Sequence, residues 1–186
     1  IGFVVTGITD DGFVRVQKVG GVDMRTVEGI RDVLNCRLGL EKMFGLIVRG
    51  MAYPDKGITA FSNGTTMSDI STYLTQLDIA YSRTLGGSND SFDLPADWHQ
   101  WMPNCHHNSG NLFNLIDNFL NIKPPYSVDA RPKVFYLWGH AYEFNSDNNW
   151  DRIEKVCEKL GGQDDIWYAT NIEIYDYCKA YLSLVY

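Results

Sequence analysis

The stretch Leu46-Ile47-Val48-Arg49-Gly50-Met51-Ala52, closed by Tyr53-Pro54, reads as a buried strand entering a loop. It is a short apolar run, and the proline biases the residue before it toward extended backbone. Immediately upstream, Val27, Ile30, Leu34, Leu38 and Met43 recur at helical spacing. Asp23 is suited to cap the start of that helix and Gly45 to stop it. A helix followed directly by a strand is one crossover unit.

The same alternation continues toward the C-terminus. Thr66 to Leu77 predicts a helix and Ile79 to Thr84 a strand. Asn111 to Leu120 predicts a helix, with Leu112, Leu115, Ile116, Phe119 and Leu120 on one face. Val134 to Gly139 predicts a strand that delivers His140 at its C-terminal end, and Ser146 or Asp147 can cap a helix running to Leu160. Ile166 to Ala169 then predicts a last strand and Asn171 to Tyr181 a last helix. Only Ile1 to Val19, with turn chemistry at Asp10-Asp11-Gly12, reads as two extended runs around a turn. Strands linked by helices run parallel, so the expected class is α/β. Without a low-complexity linker, the expectation is a single domain over residues 1–186.

The formal net charge of −7 removes the positive field that nucleic acid or an anionic membrane would require. No apolar run approaches the roughly 20 residues of a membrane span, so a soluble chain is expected, cytoplasmic or exported with a removed signal. Cys36, Cys105, Cys157 and Cys178 form no C-x-x-C pair and read as buried or idle thiols. Dinucleotide, P-loop and serine-hydrolase fingerprints do not occur in the sequence.

In parallel α/β folds the loops after the strands build the site. His140 stands there as a general acid or as a structural histidine bonded to a loop carbonyl. Arg49, a permanent charge on an apolar run, must meet a carboxylate or a substrate anion. The segment Leu85 to Asn108 is too long for a simple connector. It holds Trp98 and Trp101 beside His99, His106 and His107. Indole faces can stack on sugar rings, imidazoles can bond hydroxyls or a metal, and packing of the loop is the alternative. The acidic run Glu143 to Asp151 and the pair Asp164-Asp165 read as capping and surface.

Two stretches, Phe44 to Pro54 and Phe135 to Phe144, resemble the polysaccharide deacetylases, metal-dependent enzymes that remove acetyl groups from chitin, peptidoglycan and related polymers. The resemblance continues through Asp165 to Thr170 and covers most of the chain from about Met24. It implies an incomplete, distorted β/α barrel with mostly parallel strands, which lacks the N-terminal strands of that family. It also implies that His140 is the general acid, that Arg49 orients a catalytic aspartate, and that a glycan or acetylated amino sugar is the ligand.

The His-x-x-x-His metal motif of that family is absent from the sequence. Aligning Val5 to Asp10 with it puts Thr6 and Asp10 where its histidines belong. The resemblance therefore implies a degenerate carbohydrate-binding domain holding its glycan with Tyr53, Trp98, Trp101, His106 and His107. No residue is assigned to a metal. The alternative is an active deacetylase, which would need a zinc-like divalent ion in a rebuilt site with ligands such as Asp10, His106 and His107. Missing barrel strands would leave open sheet edges, so a homodimer that completes the fold is a third expectation.

Overall fold

The computed structural model describes residues 2–19, 24–54, 65–85, 89–122 and 131–184. They fold as two units: one from the described residues within Ile1–Ala52 and Ile58–Ser82, the other from those within Tyr53–Gly57 and Arg83–Tyr186.

The first unit opens with a hairpin. Strands β1 (Gly2–Ile8) and β2 (Val14–Val19) pair antiparallel from Gly2↔Val19 to Ile8↔Val14, with an irregularity between Val5 and Gly7. The turn is closed by Gly12 N–H donating to the Thr9 carbonyl and by Thr9 N–H donating to the Phe13 carbonyl. Helix α1 (Met24–Phe44) follows, and the Val14 N–H donates to Asn35 Oδ1 at 2.8 Å, tying hairpin to helix. Val27 and Ile30 are buried, as their spacing requires. Gly45 ends α1 in the left-handed region (φ 68°), where glycine carries no Cβ penalty, and its N–H bonds the Glu41 carbonyl. Asp23, the expected cap, lies outside the described residues.

After α1 the strand is shorter than its apolar run. Leu46 and Ile47 are exposed, and β3 covers only Gly50–Ala52, paired with β4 (Tyr81–Arg83). Arg49 therefore precedes the strand instead of lying on it. Gly50 is needed for close approach: a Cβ there would stand 2.1 Å from Tyr81 Cζ. Helix α2 (Met67–Gln76) begins with a reciprocal cap, in which Thr66 Oγ1 accepts from the Asp69 N–H and the Asp69 carboxylate accepts from the Thr66 N–H.

The second unit carries a 3-10 turn at Trp98–Gln100, β5 (Cys105–His106), α3 (Leu112–Leu120), β6 (Leu137–Trp138), α4 (Ala141–Ser146), α5 (Trp150–Leu160) and α6 (Asn171–Leu184). β5 and β6 run parallel in the register Cys105↔Leu137 and His106↔Trp138, and Arg83 bridges Trp101, also parallel. The core lies between α3 and α5, where Leu112, Ile116 and Val156 are buried against Phe135, Leu137 and Ile153.

Two differences from the sequence reading concern helix starts and strand lengths. The helix expected from Ser146 or Asp147 to Leu160 starts later, as α5 after Asn149, and a separate short helix, α4, ends at Ser146; Asn148, at φ 48°, interrupts the chain between them. Ile166 to Ala169 is not a strand. Trp167 and Tyr168 are exposed, and the Tyr168 hydroxyl bonds the Leu160 carbonyl and the Gln163 N–H. Of the thiols, Cys36 and Cys157 are exposed and only Cys178 is buried. Burial pushes the half-buried Cys105 thiol up to about 11. Among the described residues no helix is long and apolar enough to cross a membrane, and the strands form three two-stranded sheets.

Candidate functional site

At the C-terminal ends of β5 and β6 the second unit gathers three histidines around one carboxylate. The parallel register fixes this. Asn104 N–H donates to the Tyr136 carbonyl at 2.8 Å and His107 N–H to the Trp138 carbonyl at 2.9 Å. His107 and His140 therefore follow neighbouring strands at the same end of the ladder. On a regular strand adjacent side chains point to opposite faces. The strand ends at His106, and the turn that begins at His107 lets both imidazoles converge, with ring centroids 4.3 Å apart.

Glu143, in the first turn of α4, is the centre of the group. Its Oε2 lies 3.1 Å from His106 Nε2 and 3.0 Å from His107 Nε2, while Oε1 lies 3.4 Å from His140 Nδ1. The backbone N–H of His140 donates to Oε2 at 3.3 Å. One nitrogen from each of His106 and His107 and one oxygen of Glu143 lie within 4.8 Å of one another, the spacing of a metal-ligand set. Asn108 N–H donates to His106 Nδ1, so neutral His106 carries its proton on Nε2.

His107 is held most tightly. Its ring is stacked on Phe144 at 4.4 Å, and a Cβ on Gly139 would stand 1.8 Å from Nδ1, so the chain just after β6 can pass only as glycine. Its Nε2 is close to Glu143 in distance but is not aligned with it along the ring N–H direction, so this buried nitrogen has no hydrogen-bond partner. A buried polar atom left in that state costs about 1–3 kcal/mol. Burial, helped by neighbouring His106, holds the His107 imidazole below its usual range against the pull of Glu143. Burial raises the Glu143 carboxyl, but the His140 N–H and the neighbouring imidazoles outweigh it and leave the group below the usual carboxylate range.

The surrounding loop is braced from α4 and α5. Arg152 Nε donates to the His107 carbonyl at 2.6 Å and its Nη2 to the Ser109 carbonyl. Asn108 Nδ2 donates to Asp147 at 2.7 Å, and Asn149 donates to Asn108 Oδ1 at 2.8 Å. Trp138 stands edge-on to His106 at 4.4 Å, with the Arg83 guanidinium over its ring at 5.2 Å.

Of the residues singled out from sequence, His106, His107 and His140 come together here. Trp98 and Trp101 pack together, and Trp98 reaches the wall of a pocket, beside Pro95 and Tyr181. Trp101 is fully buried, the two indoles meet edge-to-face at 5.0 Å, and Tyr175 and Tyr136 close the cluster. The Trp101 indole therefore serves the core and offers no face to a ring from solvent. Tyr53 is buried too, its hydroxyl donating to the His99 carbonyl at 2.9 Å. Arg49 belongs to the first unit, where its carbonyl accepts from the Ala80 N–H. Asp10 is on the exposed hairpin turn of that unit. Glu143 was read as capping. It does cap, accepting from the His140 N–H three residues before it, and that His-x-x-Glu spacing was the signal that could have placed it beside His140.

Residues 1–52 match the family model of the M42 glutamyl aminopeptidases. No curated protein and no solved structure matches the chain. The match overturns the resemblance to polysaccharide deacetylases, whose first supporting stretch, Phe44 to Pro54, lies almost wholly inside the matched residues. With it falls the reading of the chain as a carbohydrate-binding or carbohydrate-modifying domain. What these residues are similar to is a peptidase family.

Proposed function

We propose that the chain is an aminopeptidase-related hydrolase, acting on the amide bond that follows the N-terminal residue of a peptide. The observation that carries this reading is the M42 match over residues 1–52. The second unit supplies side chains suited to such chemistry. Glu143 is ionised and turns Oε1 toward His140, and His140, half exposed beside it, can accept a proton from the attacking water and return it to a leaving amine. For architecture, the parallel pairing of β5 with β6 and of Arg83 with Trp101 supports an open α/β plan of the incomplete-barrel kind.

The test is release of a chromogenic amine from glutamyl, aspartyl, leucyl and alanyl anilides, with N-acetylated forms as controls. Cleavage of free-amine substrates only is expected, and His140→Ala should lower kcat by about 100-fold or more, the usual contribution of a positioned proton-transfer group. No turnover of any aminoacyl anilide, or equal turnover of the acetylated forms, would remove the aminopeptidase reading.

A further inference from the structure

We propose that His106, His107 and Glu143 form a binding site for one divalent transition-metal ion of the zinc class, with at least one coordination position left for water or substrate. The proposal rests on this geometry and is independent of any peptidase activity.

Bonds of about 2.0–2.1 Å from zinc to imidazole nitrogen or carboxylate oxygen, arranged tetrahedrally, put neighbouring ligand atoms roughly 3.3 Å apart. The two nitrogen-to-oxygen distances here are 3.1 and 3.0 Å, and all three ligand atoms lie within 4.8 Å of one another. The two imidazole nitrogens, within 4.8 Å of each other, would draw closer around an ion seated among the three groups. Two imidazoles and one carboxylate favour zinc, cobalt, nickel or iron(II) over magnesium or calcium, which prefer oxygen ligands throughout.

His107 supplies an independent reason. Its side chain is 4% exposed, and the ring is pinned between Phe144 and Gly139. Nε2 therefore points into the cluster, shut off from solvent, without a hydrogen bond of its own. A cation between it and Glu143 would give that nitrogen its partner and relieve its unaligned contact with the carboxylate. The outer groups are already in place: the His140 N–H holds Glu143, and Arg152 holds the His107 carbonyl. His106 is the weakest of the three ligands. To offer Nε2 it must shift its proton to Nδ1 and release the Asn108 N–H.

The test uses the untagged full chain, stripped of metal by a chelator and dialysed, titrated calorimetrically with Zn2+ and followed in visible absorption with Co2+. About one equivalent of zinc is expected, together with a cobalt spectrum of the intensity of low-coordinate nitrogen–oxygen sites. Glu143→Gln and His106→Gln, both on partly exposed side chains, should lower zinc affinity by more than about 100-fold, beyond the 10–100-fold of outer-shell changes, and abolish the cobalt bands with unchanged circular dichroism. His107→Asn should do the same if it folds. The proposal is overturned if the chain takes up no zinc, if Glu143→Gln and His106→Gln bind it as the parent does, or if Cys36→Ser with Cys157→Ser removes the binding instead. Zinc uptake without aminoacyl cleavage would keep this site and remove the proposed function; cleavage without zinc uptake would do the reverse.

Discussion

At the scale of single residues, Gly139 and the buried histidines make the sharpest demands. A methyl at Gly139 would overlap the His107 ring at 1.8 Å, so either the ring or β6 must move. Gly139→Ala is expected to lower the thermal midpoint and to abolish any rise in it on adding zinc. Gly110→Ala, where a Cβ meets nothing within 4 Å, should leave both unchanged. Differential scanning fluorimetry with and without zinc reads both.

His99 and His107 set a pH dependence. Burial lowers both imidazoles in the folded chain, for His99 against the nearby Asp97. A histidine with a folded value below its unfolded one leaves the unfolded chain binding more protons, so it does not destabilise the fold at high pH. It does so as pH falls below its unfolded value of about 6.5. With chelator present, the thermal midpoint should therefore fall as pH drops from about 7 to 5, and His99→Gln should flatten that slope. A midpoint that is flat or rises over this range would contradict the assignment of these rings as neutral.

Among the elements, the helices were the easier to read, because a periodic apolar face fixes both the existence of a helix and the side it buries. The Leu112, Ile116 and Val156 core between α3 and α5 is the product of two such faces. Ile116→Ala removes a fully buried side chain there and is expected to cost about 2–5 kcal/mol, measured as a shift of the urea midpoint. At the start of α2, Thr66→Ala deletes the acceptor for the Asp69 N–H and should cost about 0.5–2 kcal/mol by the same measurement.

Strands were over-read. The runs Leu46 to Ala52 and Val134 to Gly139 contain strands of three and two residues, β3 and β6. A run of apolar residues records the wish for burial, but a ladder requires a partner backbone at hydrogen-bonding distance, and no local pattern supplies it.

On the scale of the whole molecule, the net charge of −7 opposes long-range attraction to the phosphate backbone of nucleic acid. Fluorescence anisotropy with labelled duplex DNA at about physiological salt should show no binding in the micromolar range, where a non-specific DNA binder would show it. The M42 match and the histidine–glutamate group lie on different units, residues 1–52 in the first and Cys105 to Glu143 in the second. Activity and metal uptake are accordingly measured separately.

By itself the sequence determined the charge, the existence of most helices with the Gly45 stop of α1, the turn of the N-terminal hairpin, and the presence of His106, His107 and His140 close to short apolar runs. These are local properties, written in spacing and side-chain type. The tertiary structure alone decided that Trp98 and Trp101 turn inward, and that Glu143, 36 positions from His107, is the carboxylate on which two imidazoles converge. Such a meeting depends on the parallel pairing of β5 with β6 and on the brace from Arg152, contacts between residues far apart in the chain that no pattern of neighbours encodes.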